Sequence, residues 1–319
     1  MRTPRTGPRP ALATLVLPLG TLLACATPHA QATEVELKPS WKTGTKAVYE
    51  VSRCRKEARF LMPADTCIKN SIQIEVLRTG PNGSRQLWKT STPTENLGGS
   101  IAGSAMDPMI EKALNGKLDI EFDESAQPVR LLNAKEVRDT LEAAYQSIAE
   151  QASRAGKDTQ TIARGRAFMS QLLSTDAQLI ALTTKDVSIL YAPLGGRYTL
   201  DTPLQGRSTM QTPFGGQIEA KVTVTARAGS SPGAGIEVRM DEELDPEAVR
   251  RLTGKMIEAA SPASGSSAAE VQARAIDLRR TAVYQMQPGS SWPARVRWTQ
   301  TAKGDGEERT ESIEFKRTR

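Results

Sequence analysis

The chain has 319 residues, 38% of them hydrophobic and only 4% aromatic, with 42 Lys and Arg against 36 Asp and Glu. That apolar share over this length can bury a real core, which excludes wholesale disorder, and the length accommodates one large domain or two lobes. A formal net charge of +6 is too small and too scattered to mark a nucleic-acid partner, and the scarcity of aromatics argues the same way.

The first 32 residues read as an export signal rather than as fold. Arg2, Arg5 and Arg9 give a basic start with no acid. Ala11–Ala24 (ALATLVLPLGTLLA) is an apolar run too short to span a bilayer, and Ala30-Gln31-Ala32 places small residues where a signal peptidase requires them. Without an Arg-Arg pair the general secretory route is expected. Cleavage after Ala32 is one reading. In the other, Leu22-Leu23-Ala24-Cys25 resembles a bacterial lipobox, whose Cys is acylated and becomes residue one. Residues 26–40 would then form a polar tether, and Ala26, in place of Asp, points to the outer membrane. Both readings export the protein, to the periplasm or the outer membrane of a bacterium. Removing the three signal arginines halves the charge excess. No later apolar run approaches transmembrane length.

The remaining elements follow in chain order. A strand is expected over Lys46–Ser52. Cys54 and Cys67, in an oxidising compartment, read as a disulfide closing a long hairpin, with turn chemistry at Pro63-Ala64-Asp65. They have neither the CxxC spacing of a redox pair nor a nearby His for metal. Ile72–Val76 alternates apolar and polar, Gly80-Pro81-Asn82-Gly83 is a turn, and Arg85–Thr90 returns. A short helix is expected at Pro108–Leu114, then strands over Leu118–Phe122 and Val129–Leu132. Asn133 with Glu136 resembles a capping box, and Val137, Leu141, Ala144, Tyr145 and Ile148 share one face of the helix behind it. A second helical region runs over Thr159–Leu182, broken near Ser174, with Met169, Leu172, Leu173, Leu179 and Ile180 as its anchors. Strands over Arg197–Leu200 and Ser208–Thr212 come next. Gly195-Gly196 and Gly215-Gly216 are turns, since a phosphate cradle needs a helix behind it and strands follow here. Ile218–Val224 and Ile236–Met240 alternate around a hairpin tip at Ser230–Gly235. Asp245-Pro246-Glu247 opens a helix with an acid cap, a first-turn proline and a stripe of Val249, Leu252, Met256 and Ile257. Ser261–Ala268 is a flexible surface loop. Thr281–Gln285, Val296–Trp298 and Ile313–Lys316 complete the strands, with a turn at Lys303-Gly304-Asp305-Gly306.

Period-two strands have one dry face and one wet face, which is the pattern of antiparallel sheet. The helices carry matching stripes. The expected fold is α+β: a large twisted antiparallel sheet, half-barrel-like, packed on several helices, in one domain over 33–319 that could divide into two sublobes. In element order and compartment this layout resembles the half-barrel-with-helical-lid design of bacterial lipoprotein carriers and related envelope proteins. No motif is shared, so the resemblance implies a fold and assigns no residue a role.

The most informative absence concerns histidine. His29 is the only one, and it leaves with the signal or sits in the tether. A folded body without imidazole excludes Ser-His-Asp and Cys-His catalysis and His-ligated metals. The sequence holds no SxxK, P-loop or GxGxxG motif. Four constellations remain. Asp241, Glu242 and Glu243 with Asp245 lack the spacing of a calcium loop and read as a solvated turn plus a helix cap. Asp119, Glu121 and Asp123, with Glu124 adjoining, share the wet face of a strand. They are a carboxylate pair for glycan hydrolysis or ordinary alternation neutralised by cross-strand bases. Arg53, Arg55, Lys56 and Arg59 could touch anionic lipid or form a solvated hairpin. Trp41, Trp88, Trp292 and Trp298 are the candidate ligand or partner surface, with core packing as the alternative. The expected function is a non-enzymatic exported envelope protein, periplasmic or an outer-membrane lipoprotein attached through Cys25, that binds an apolar ligand or a partner protein. A carboxylate-dependent hydrolase of envelope glycans and an assembly scaffold without a small ligand are the alternatives, and strand addition at a sheet edge is a third mode of partner binding. No catalytic residue, metal or cofactor is assigned, and no nucleic acid is expected.

Overall fold

The computed structural model describes residues 33–57, 66–92, 115–156, 158–212, 217–229, 235–260, 277–304 and 307–319. The expected signal region with Cys25 and His29, the expected turn at Pro63-Ala64-Asp65, Arg59, the expected helix at Pro108–Leu114, Gly215-Gly216, most of the expected tip at Ser230–Gly235, and the expected loop Ser261–Ala268 lie outside the described residues.

The fold is mixed α+β, and its principal sheet has eleven strands, all antiparallel. In chain order these are β2 (Lys46–Glu57), β3 (Thr66–Gly80), β4 (Gly83–Ser91), β5 (Lys117–Phe122), β6 (Pro128–Leu131), β8 (Leu204–Gln211), β9 (Gln217–Ala228), β10 (Ile236–Leu244), β11 (Asp277–Met286), β12 (Pro293–Gly304) and β13 (Glu307–Arg317). A small ribbon pairs β1 (Glu34–Glu36) with β7 (Arg197–Thr199). The spatial order β6-β5-β4-β3-β2-β13-β12-β11-β10-β9-β8 consists of two meanders joined where the strand after the N-terminal ribbon meets the last strand of the chain. Every strand read from period-two alternation is present. The three-residue β1 is too short to carry a pattern.

Alternation sorts the side chains as expected. On β3, Ile72, Ile74 and Val76 are buried, while the residues between them are more accessible. On β9, Ile218, Ala220, Val222, Val224 and Ala226 are buried in the same way. The turn between β3 and β4 requires glycine: Gly83 has φ +129°, and a Cβ there would lie 1.9 Å from the Phe122 carbonyl oxygen. Cys54 and Cys67 face each other across β2 and β3 and form a disulfide, with Cα atoms 4.1 Å apart. They sit on the face away from the core, in line with Ser52 and Ser312.

Five helices are present among the described residues: α1 (Ala134–Arg154), α2 (Thr159–Leu172), α3 (Asp176–Thr183), α4 (Lys185–Tyr191) and α5 (Pro246–Ala260). The expected break near Ser174 separates α2 from α3, where Thr175 Oγ1 accepts from the Gln178 N–H. Asp245 caps α5, its Oδ1 accepting from Glu247 N and Ala248 N. Val249 of the α5 stripe joins a small buried cluster with Ile218, Ala220, Leu244 and Ala248, and Leu252 packs against it; Met256 and Ile257 fall outside the described side chains. Asn133 departs from the capping-box expectation. Its Oδ1 accepts from Asp119 N and its Nδ2 donates to the Lys117 carbonyl, both at 3.0 Å, so it stitches the start of α1 to β5 instead of closing its own first turn. Its Oδ1 is turned to β5, so no N–H of the first turn of α1 bonds to it, and only Nδ2 reaches toward Glu136 Oε2, at 3.4 Å. Helix α4 is absent from the sequence reading. From Val187 onward it is buried on nearly every side, so it shows no amphipathic period. No helix among the described residues is long and apolar enough to cross a membrane.

Candidate functional site

The main core is one contiguous cluster that draws on strands from β2 through β13 and on α3 and α4. Its centre is aromatic. Tyr191, the last residue of α4, has ring neighbours on four sides: Trp41 at 4.8 Å, Trp88 at 5.5 Å, Phe122 at 5.7 Å and Trp292 at 6.1 Å. Trp41 also lies 5.6 Å from Trp292 and 6.2 Å from Phe122. Three of the four tryptophans named from the sequence thus converge around a tyrosine that the sequence did not single out. Trp41 and Trp88 are buried and Trp292 is half-buried.

A buried amide organises this cluster. Gln86 on β4 is 0% exposed, and its Oε1 accepts from the Tyr191 hydroxyl at 2.9 Å and from Trp88 Nε1 at 3.1 Å. A polar side chain at this depth is tolerated because its acceptor is satisfied twice. Burial holds the Tyr191 hydroxyl well above its ordinary pKa, with the proximity of Tyr49 adding to the shift. The indole N–H of Trp41 is the exception: it is buried and has no hydrogen-bond partner among the described residues.

The segment before Trp41 straps this cluster. Glu34–Glu36 pairs with Arg197–Thr199, and Leu37 exchanges backbone hydrogen bonds with Gly195 and Gly196. Ser40 contacts Ser291 Oγ through its hydroxyl at 2.8 Å, and Ser291 donates to the Lys38 carbonyl. The described chain is held from Thr33, whose carbonyl accepts from Leu200 N, so residues 33–40, expected to belong to a tether, are part of the fold.

Helix α4 is fixed to the core-facing side of the sheet at both ends. At its end Tyr191 reaches Gln86 of β4, while the Ile189 carbonyl accepts from the Tyr284 hydroxyl of β11 at 2.9 Å. At its start Asp186 accepts from the Arg53 guanidinium of β2, and Lys185 pairs with Glu311 of β13 at 2.9 Å. Trp298 stands at this polar end, apart from the other tryptophans. Lys185 Nζ lies 4.6 Å from its ring centre and the Arg280 guanidinium 5.9 Å. Burial lowers the pKa of Arg280, opposed by Glu242 and Glu311 nearby.

The other constellations are paired where they are described. Asp119 receives both arms of Arg85, at 2.8 and 2.6 Å, and Glu121 receives Arg130 and Arg78. The neutralising bases are thus cross-strand arginines. Asp123 accepts from Ser125 N and Gln127 N in the turn between β5 and β6. Asp241 holds Arg239 and the Thr281 hydroxyl, Glu242 lies near Arg280, and Glu243 lies near Arg279. No group of three or more His, Cys, Asp or Glu among the described residues could hold a metal ion. Of the basic stretch, Arg53 is tied to α4 and faces the core, and Arg55 is exposed. On the opposite face of the sheet an open groove of ≈ 520 Å³ is lined by Glu50, Ser52, Lys69, Ser71, Glu314 and Lys316.

Tyr191, Gln86 and α4 are what sequence reasoning missed. Their signal was weak: a tyrosine in the apolar run Ile189-Leu190-Tyr191-Ala192-Pro193-Leu194, and a glutamine on the dry parity of β4 beside Trp88. No protein-family model matches the chain, and no curated protein matches it either.

Proposed function

We propose that the protein is an exported envelope protein that works by binding a partner protein, as a brace or assembly factor, rather than by carrying an apolar ligand or by catalysis. The supporting observation is α4. A carrier needs an empty apolar lane on the dry face of its sheet. Here that lane holds Val187, Leu190 and Tyr191, each at most 1% exposed, and the helix is anchored to four strands.

The same contacts support a half-barrel-like sheet wrapped around its helices. β4 and β11 are five strand positions apart in the sheet, roughly 24 Å if the sheet were flat. A single turn of one short helix hydrogen-bonds to both, through Tyr191 and Ile189. Curling of the sheet would bring both strands toward that turn.

Export rests on the basic, apolar and small-residue sequence of 1–32. Mass analysis of the mature N-terminus in the native bacterium tests it. Thr33 as the first residue means a periplasmic protein, an acylated Cys25 means a tethered one, and an intact Met1 sinks the proposal. Crosslinking in the intact envelope tests the partner: a discrete heteromeric adduct is expected, and a transferable lipid with no protein adduct contradicts it. A second reading, an apolar ligand at the aromatic cluster, is favoured by one observation, the unpartnered indole N–H of Trp41 beside half-buried Trp292.

A further inference from the structure

Cys54 and Cys67 stand directly opposite each other on β2 and β3, and their bond lies on the face of the sheet away from the core. Exposure to solvent is what separates an exchangeable disulfide from an inert staple.

The two sulfurs have unequal surroundings. Cys67 is exposed and Cys54 is half-buried. On the far side of β2, β13 sets Ser312 directly opposite Cys54. Ser52 Oγ lies 3.9 Å from Cys54 Sγ. On the far side of β3, the described ladder with β4 runs from Ser71 to Gly80 and does not reach Cys67. A thiolate displaces a sulfur from behind, along the line of the S–S bond. This bond runs across the strands, so attack on Cys54 comes over β13, past Ser312, while attack on Cys67 comes from the outer side of β3.

Charge favours the same direction. Alternation puts Lys56, two residues beyond Cys54, and Lys69, two beyond Cys67, on the face of the disulfide. Glu314, an acid on that face opposite Ser52, is already held by Arg295 and Arg297. Cations beside a sulfur stabilise its thiolate, and the Ser52 hydroxyl is placed to donate to Cys54.

We propose that the Cys54–Cys67 disulfide is a thiol-exchange site for a dithiol, which attacks Cys67 Sγ in the folded protein and expels Cys54. A thiolate of the dithiol forms a new S–S bond to Cys67 as the Cys54–Cys67 bond breaks. Cys54 leaves as a thiolate with the electron pair and takes a proton from solvent. The second thiol loses its proton and attacks the dithiol's own sulfur in the mixed disulfide, and Cys67 leaves and is protonated in turn. The protein ends with two thiols, having gained two electrons and two protons, and the dithiol ends as a disulfide. Arg53, next to Cys54, holds Asp186 of α4, so the exchange takes place beside one anchor of that helix. The inference stands independently of export and of the partner reading.

Reduction of the purified, oxidised protein in native buffer tests it. Dithiothreitol should reduce the folded protein at a rate within about a hundredfold of that for the urea-unfolded chain, because no global unfolding is needed. Brief exposure to reduced glutathione, then acid quench, alkylation and peptide mapping, should place the mixed disulfide on Cys67 and the alkyl group on Cys54. Lys56→Gln should slow the folded-state reaction about threefold, through a poorer leaving thiolate. A catalytic amount of a purified CxxC protein separates the sources: acceleration assigns the exchange to a protein dithiol, and an unchanged rate assigns it to a small one. Reduction slowed by more than about a hundredfold in the folded protein overturns the inference, since the bond is then reached only through unfolding. A mixed disulfide mainly on Cys54, or a rate that Lys56→Gln leaves unchanged, overturns it as well.

Discussion

Truncating Leu190 to alanine asks directly whether α4 is part of the core. Leu190 is 0% exposed and belongs to the main cluster, one residue before Tyr191. Its neighbours on α4 are tied to β4 and β11, so the helix cannot move to close the gap. Buried Leu→Ala changes cost roughly 2–5 kcal/mol, the upper end applying where the site fails to collapse. A loss of about 3 kcal/mol is expected, a fall in Tm of about 5 °C for a chain of this size. Urea unfolding followed by tryptophan emission measures it, since Trp41, Trp88 and Trp292 surround Tyr191. Leu204→Ala, on the exposed edge strand, is the control and should stay within about 0.5 kcal/mol. If Leu190→Ala loses less than about 1 kcal/mol, the helix is a loosely seated lid and the reasoning here is wrong.

Tyr191→Phe should cost less, about 1 kcal/mol, because Gln86 keeps its bond from Trp88; a loss as large as that of Leu190→Ala would mean that the amide network outweighs the packing. Reducing Cys54–Cys67, with a separation of 13 residues, should lower stability by about 3 kcal/mol, read as the difference in urea midpoints with and without reductant. Burial raises the hydroxyl pKa values of Tyr49, Tyr191 and Tyr284. The folded state therefore keeps protons that the unfolded state releases, and stability is full below the ordinary tyrosine range near pH 10 and falls as pH rises above it. Phenolate absorbance from these three should appear only together with loss of near-ultraviolet dichroism, and early non-cooperative ionisation of all five tyrosines would contradict the burial. Asp245 is held below its ordinary pKa by the N–H groups of Glu247 and Ala248. Its capping contribution is present above the ordinary aspartate range and is lost as pH falls through the depressed value. Asp245→Asn should flatten the acid limb of a Tm-against-pH curve, and an unchanged acid limb would remove the cap from the account.

Strands were legible because one wet face and one dry face leave a period-two trace, as in Ile72, Ile74 and Val76. The same parity put Trp88 and Trp298 on the dry side and Asp119 and Glu121 on the wet side, where Arg85 and Arg130 neutralise them. Helix α4 left no such trace, since a helix buried all round has no polar stripe to set its period. The meeting of Trp41, Trp88, Phe122 and Trp292 around Tyr191 could not be read locally, because these residues come from distant parts of the chain and long-range contacts, the pairing of β2 with β13 among them, bring the two meanders together. Asn133 misled for a related reason: a capping residue is chosen by local sequence, but its side chain went to β5.

Native mass spectrometry of the protein purified from its native cells bears most directly on whether α4 occupies the lane that a ligand would need. The expected spectrum contains the polypeptide, with or without the covalent acyl mass at Cys25, and no further small molecule. A stoichiometric, non-covalently held lipid that survives gentle ionisation and departs on Trp41→Ala would contradict the account.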